Sequence, residues 1–80
     1  MTATEWLRMD NNQRGLWLRG IKLTGQVKKT IATINAALLA LDDLYLEALV
    51  TEDEAALKSV EMNMDVMRQI LAYINKYRGQ

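Results

Sequence analysis

Chemistry in this chain would have to come from carboxylates. Asp43 and Glu47 stand four residues apart, and Glu61 and Asp65 repeat that spacing. On a helix each pair shares a face. Carboxylate pairs of this kind hold metals in some helical bundles, but those sites add Glu-x-x-His ligands aimed into the core. The chain has no histidine and no cysteine, which removes the commonest nitrogen ligand, the thiolate and the usual general base. Ser59 has no imidazole to activate it. Asp42 and Asp43 are adjacent and diverge around a helix. No glycine-rich nucleotide loop, paired-cysteine motif or HExxH run is present. The Glu61–Asp65 pair falls opposite the apolar stripe of its segment. These acids read as solvated helix faces, and the expectation is a non-enzymatic protein with no cofactor and no metal.

The elements that carry those acids are two long amphipathic patterns. Val27, Ile31, Ile34, Leu38, Leu41, Tyr45 and Ala48 follow one another at steps of four and three, the mark of one helix face. Leu39, Leu44 and Leu46 widen that stripe. Thr24 and Gly25 mark its start. Thr51 and Glu54 have capping-box spacing and place a second helix start there, with Val50 and Ala55 at the staple positions. Leu57, Val60, Met64, Met67, Leu71 and Ile74 form the next stripe, and Val66, Ile70, Tyr73 and Tyr77 a further one beside it. Together these two cover roughly 200° of the helix at about 100° per residue. Glu54 and Lys58 are set for an i,i+4 pair. Gly79 supplies a C-cap, with Lys76 and Arg78 in the last turn.

The expected fold is all-α. Residues 24–78 form an antiparallel helical hairpin with its turn near 50–51, and residues 1–23 form an N-terminal arm or short helix. Folding back about Val50 and Thr51 sets Leu38 opposite Asn63 and Ile34 opposite Met67. Asn63 then lies either in the seam, where it would fix register, or at its wet edge. The 200° arc exceeds what a two-helix seam needs, so a second copy completing a four-helix bundle, or a different protein, is expected to cover Val66, Ile70, Tyr73 and Tyr77. This plan resembles that of small bacterial helical adaptors, such as the co-chaperones of type III secretion needle subunits and the anti-activators that sequester transcription factors. The resemblance is architectural and spans about residues 24–78.

Within residues 1–23, Thr4 is placed to cap a short helix over Glu5–Met9, and Asp10-Asn11-Asn12 to break it. Both tryptophans of the chain, Trp6 and Trp17, lie here beside Arg14 and Arg19. Tryptophan and arginine are favoured interface anchors. The alternative is that the segment closes its own bundle and buries the indoles. Lipid contact is the weakest of the three readings, because the apolar run is short and broken.

Composition bounds the rest. Eighty residues with no cysteine make one thin domain, burying only about 60% of its unfolded surface. Association is the remaining way to add core, and a homodimer is expected. No apolar run is long enough to span a membrane, and the N-terminus does not read as a signal peptide, so a cytoplasmic location is expected. The net charge is zero, yet residues 1–30 carry six basic against two acidic residues and residues 31–65 one basic against eight acidic. The acidic middle disfavours a nucleic-acid backbone along most of the chain. The leading expectation is a protein-binding regulator or inhibitor with one protein partner. The alternatives are a chaperone-like or structural subunit and a nucleic-acid-associated factor. The candidate contacts are Trp6, Arg14, Trp17, Arg19, Val66, Ile70, Tyr73 and Tyr77.

Overall fold

The computed structural model describes residues 2–77, and among these the chain forms four α-helices and no strand. They are α1 (Ala3–Arg8), α2 (Asn11–Leu23), α3 (Val27–Val50) and α4 (Glu54–Tyr77). The two long helices have 24 residues each, so each extends about 36 Å at 1.5 Å per residue. That matches a molecule of 43 × 23 × 17 Å. None of the helices is long and apolar enough to cross a membrane among the described residues.

Residues 2–23 hold more structure than an arm. Thr2, not Thr4, caps α1, its Oγ1 accepting from the Glu5 amide at 3.2 Å. Met9 and Asp10 are extended, and Asp10 restarts the helix through a full capping box. Its Oδ1 accepts from the Gln13 amide at 2.8 Å, and its own amide donates to Gln13 Oε1 at 3.0 Å. The break expected at Asp10 is therefore the start of α2. That helix of 13 residues carries Gly15 and Gly20, each costing it about 1 kcal/mol relative to alanine.

Both long-helix starts expected from sequence lie earlier than the observed ones, and for one reason. Thr24 and Thr51 each end a helix. Each hydroxyl donates back to a carbonyl four residues earlier, Thr24 to Gly20 at 3.0 Å and Thr51 to Glu47 at 2.9 Å. Each is followed by a residue in left-handed conformation, Gly25 at φ 69° and Glu52 at φ 54°. The next amide reaches five residues back: Gln26 to the Ile21 carbonyl at 2.8 Å and Asp53 to the Ala48 carbonyl at 3.0 Å. These are two copies of the Schellman ending. Asp53 then caps α4, accepting from the Ala56 amide at 3.1 Å, because aspartate is a stronger cap than threonine. Val50 is 84% exposed, so it staples nothing. Gly79 and Arg78 lie outside the described residues.

α4 is the central element. α3 packs along it as the most extensive helix pair, and α1 packs on it as well. The turn centres on Glu52, which shifts the register from the expected one, and Ile34 shares its cluster with Ile70. Val66 and Ile70 are 2% and 0% exposed. They belong to one cluster with Ala3, Trp6, Leu18, Ile34 and Ile74. The second apolar stripe of α4 is thus covered by the chain's own first two helices. Asn63 is half-buried at the seam edge, its Nδ2 donating to the Ser59 carbonyl at 2.8 Å. No polar residue is fully buried among the described residues.

The two helix endings make opposite predictions. Glu52→Gly relieves a left-handed glutamate, a strain of about 1–2 kcal/mol, against glycine's extra unfolded-state entropy. Thermal unfolding is expected to rise by a few degrees. Gly25→Ala forces a Cβ into the same conformation and is expected to lose about 1 kcal/mol. A melting temperature lowered by Glu52→Gly would contradict the assigned ending.

Candidate functional site

An aromatic cluster sits where α1 and α2 meet α4. The Trp6 ring is its centre, 2% exposed. It meets Trp17 edge-on at 5.8 Å between centroids and 76°, and Tyr73 at 5.4 Å and 73°. Tyr73 passes the contact to Tyr77 at 4.7 Å. Edge-to-face pairs of this kind are worth about 0.5–1.5 kcal/mol each beyond their burial. Arg14 completes the cluster from α2. Its guanidinium carbon lies 4.5 Å from the Trp6 ring centroid, and its Nη2 donates to the Trp6 carbonyl at 2.9 Å. That carbonyl belongs to the last turn of α1 and also accepts from the Met9 amide at 3.2 Å. Arg14 therefore clamps the short helix at both ring and backbone. The cluster leaves Trp6 Nε1 and Arg14 Nε buried without a hydrogen-bond partner, a cost of about 1–3 kcal/mol per group that the packing offsets.

Beside this cluster an open cleft of about 730 Å³ runs between α2 and the last turns of α4. Arg19 and Lys22 line it from α2, and Tyr73, Lys76 and Tyr77 from α4. Asn11 lines it too, and no carboxylate is among the described residues that line it. Lys22 crosses between the helices and donates to the Tyr77 carbonyl at 2.6 Å. That contact serves the carbonyl end of α4, where positive charge is favoured. Lys76 Nζ stands 5.3 Å from the Tyr77 ring centroid. Three cations, two phenols and an amide over an apolar floor form a place for anionic, partly apolar groups.

The acids that opened the sequence reading lie elsewhere. Asp42, Glu61 and Asp65 line a shallow cleft of about 410 Å³ between α3 and α4. Asp65 pairs there with Arg68 at 3.9 Å, both side chains well exposed, so the pair adds little stability. No group of three or more Asp and Glu side chains among the described residues is arranged to hold a metal ion.

Of the eight residues singled out by sequence, three come together in the basic cleft: Arg19, Tyr73 and Tyr77. Trp6, Arg14 and Trp17 form the cluster next to it, and Trp17 stays half-buried against α3 residues. Val66 and Ile70 are corrected: they are core residues under α1 and α2 and offer no surface. Lys22, Lys76 and Asn11 were missed. The signal for two of them was available in spacing, since Lys22 follows Arg19 and Lys76 follows Tyr73 by three residues on one helix face. No protein-family model, curated protein or solved structure matches this chain.

The two tryptophans are expected to separate in stability measurements. Trp6→Ala removes a fully buried ring and should cost about 3–5 kcal/mol, close to the whole stability of a small domain. Trp17→Ala removes a half-buried ring and one edge contact, and should cost about 1–2 kcal/mol. Urea unfolding of both variants checks the order. A larger loss for Trp17→Ala would show that the cluster is centred elsewhere.

Proposed function

We propose that the protein is a small non-catalytic regulator that binds one protein partner, and that the cleft between α2 and α4 takes an acidic segment of that partner. The observation that carries this reading is the lining itself: Arg19, Lys22 and Lys76 surround two tyrosines, with no carboxylate among the described lining residues. A volume of about 730 Å³ suits a few side chains of a bound peptide. Charge-assisted hydrogen bonds from arginine and lysine are about twice as strong as neutral ones. The tyrosine rings would pack on the apolar part of the segment, as aromatic anchors do in interfaces.

A short peptide fits the charge pattern better than a nucleic acid. A phosphate backbone extends beyond any single cleft, and residues 31–65 carry eight acidic residues against one basic. A peptide needs only the basic end, and the acidic remainder of the molecule would repel it from wrong sites and raise its arrival rate at the right one. The chaperone-like alternative has no separate observation in its favour.

The test uses a fluorescein-labelled peptide of alternating Glu and Leu, and its counterpart with Gln in place of Glu. Anisotropy should show binding of the Glu peptide only, weakening as salt is raised. Arg19 and Lys76 are both exposed, so Arg19→Glu with Lys76→Glu should leave the fold intact, with a loss of about 1 kcal/mol from the reversed charge at the end of α4. The same double variant should weaken the peptide by about 10-fold or more, a loss of about 1.4 kcal/mol. Equal affinity for both peptides, or a duplex DNA that binds more tightly than the Glu peptide, would overturn the reading.

A further inference from the structure

We propose that the outer face of α3 is a self-association surface, and that its occupant is a second copy of this chain running antiparallel. The inference rests on a different face from the cleft: none of the cleft-lining residues belongs to α3. A dimer through α3 therefore keeps both clefts open, and either proposal can fail without the other.

α3 is apolar on two sides. Its inner side packs on α4 through Ile34 and the half-buried Val27, Ile31 and Leu38. On its outer side, Leu39 is 69% exposed, Leu46 60% and Val50 84%. These three follow at steps of seven and four, and Ala32 and Ala36 continue the same line toward the N-terminus. A helix at a molecular surface ordinarily shows one apolar stripe and one polar face. The wide apolar arc of α4 is not the free surface, because its second stripe is covered by α1 and α2. The unpartnered stripe is on α3 instead.

Two features of the stripe select its own copy, reversed, as the occupant. The first is charge. Lys28 and Lys29 flank its N-terminal end, and Asp42, Asp43 and Glu47 flank its C-terminal half. Among the described residues the ion pair formed joins Asp65 and Arg68, and none of these five takes part in one. A parallel mate would set lysine on lysine and carboxylate on carboxylate. An antiparallel mate with Leu46 over Ala32 sets Lys28 and Lys29 within a turn of Glu47 on the other copy, twice over, as a two-fold interface requires. The second feature is size. The N-terminal half of the stripe carries Ala32 and Ala36, and the C-terminal half Leu39, Leu46 and Val50. Reversal lays Leu46 over Ala32 at each end and Leu39 against its own copy at the centre, so that large and small residues interdigitate. The helix dipoles are opposed in the same arrangement.

The experiment is sedimentation equilibrium of the full chain at micromolar concentration, followed by cysteine pairing. The wild-type chain should sediment as a dimer. Leu46→Asp should raise the dimer dissociation constant by at least about 100-fold, because each two-fold interface carries the change twice. Its circular dichroism should remain helical. Lys28→Glu with Lys29→Glu should also weaken the dimer, and adding Glu47→Lys should restore part of the lost affinity. The natural chain has no cysteine, so Ala32→Cys and Leu46→Cys report orientation cleanly. Mixed, the two variants should form a disulfide dimer under mild oxidation, and each alone should not. A wild-type monomer throughout, or self-pairing by each cysteine variant with none between them, would overturn the proposal.

Discussion

The seating of Trp6 on α4 is the contact on which the rest of the structure depends. α4 is apolar over too wide an arc for one neighbour. α3 covers part of that arc, and Val66, Ile70 and Tyr73 remain to be covered. A six-residue helix is far too short to be stable alone, so α1 persists only because its indole fills this gap. The indole in turn is held by Arg14 from α2, by Trp17 at its edge, and by Tyr73 beneath. Two marginal helices and one wide apolar arc complete each other. This is how a chain without disulfides reaches a closed core at 80 residues.

That seating also determines which surfaces are left. With the second stripe of α4 consumed internally, Leu39, Leu46 and Val50 on the outer side of α3 form an exposed apolar line. The same docking brings α2 alongside the end of α4, which aligns Arg19 and Lys22 with Tyr73, Lys76 and Tyr77. Neither the basic cleft nor its lack of carboxylates would exist if α2 were a loose arm. The site is a consequence of the packing, and the cations in it are spaced by helix geometry from two separate elements.

The long stripes of α3 and α4 were legible because period is a robust signal: Ile34, Val60, Met64 and Ile74 are buried as the spacing indicates. The endings were less legible. Thr51 with Glu54 has the spacing of a capping box, but the threonine hydroxyl bonds backward and Asp53 takes the cap. Hydroxyls compete for both roles, and sequence alone does not say which carbonyl or amide is nearer. α2 was hidden by Gly15 and Gly20, although Asp10 and Gln13 announced its start. The most consequential gap concerned Val66 and Ile70. An excess apolar arc signals that something covers it, and the identity of the cover, whether own chain or partner, depends on long-range packing that periodicity does not encode. For the cleft, Arg19, Tyr73 and Tyr77 were visible as residue types, but their meeting required the register between α2 and α4.

The most direct test of this account is the environment of the Trp6 indole in solution. Its Nε1–H is buried without an acceptor, and its ring centroid lies 5.4 Å from that of Tyr73. Proton NMR of the wild-type chain should show cross-relaxation between the Trp6 and Tyr73 rings. The Trp6 Nε1–H should exchange with solvent at least about 100-fold more slowly than a free indole, since opening requires α1 to leave α4. Exchange at the free-indole rate, with no contact to Tyr73, would mean that α1 does not cover α4, and the account would fail at its central claim.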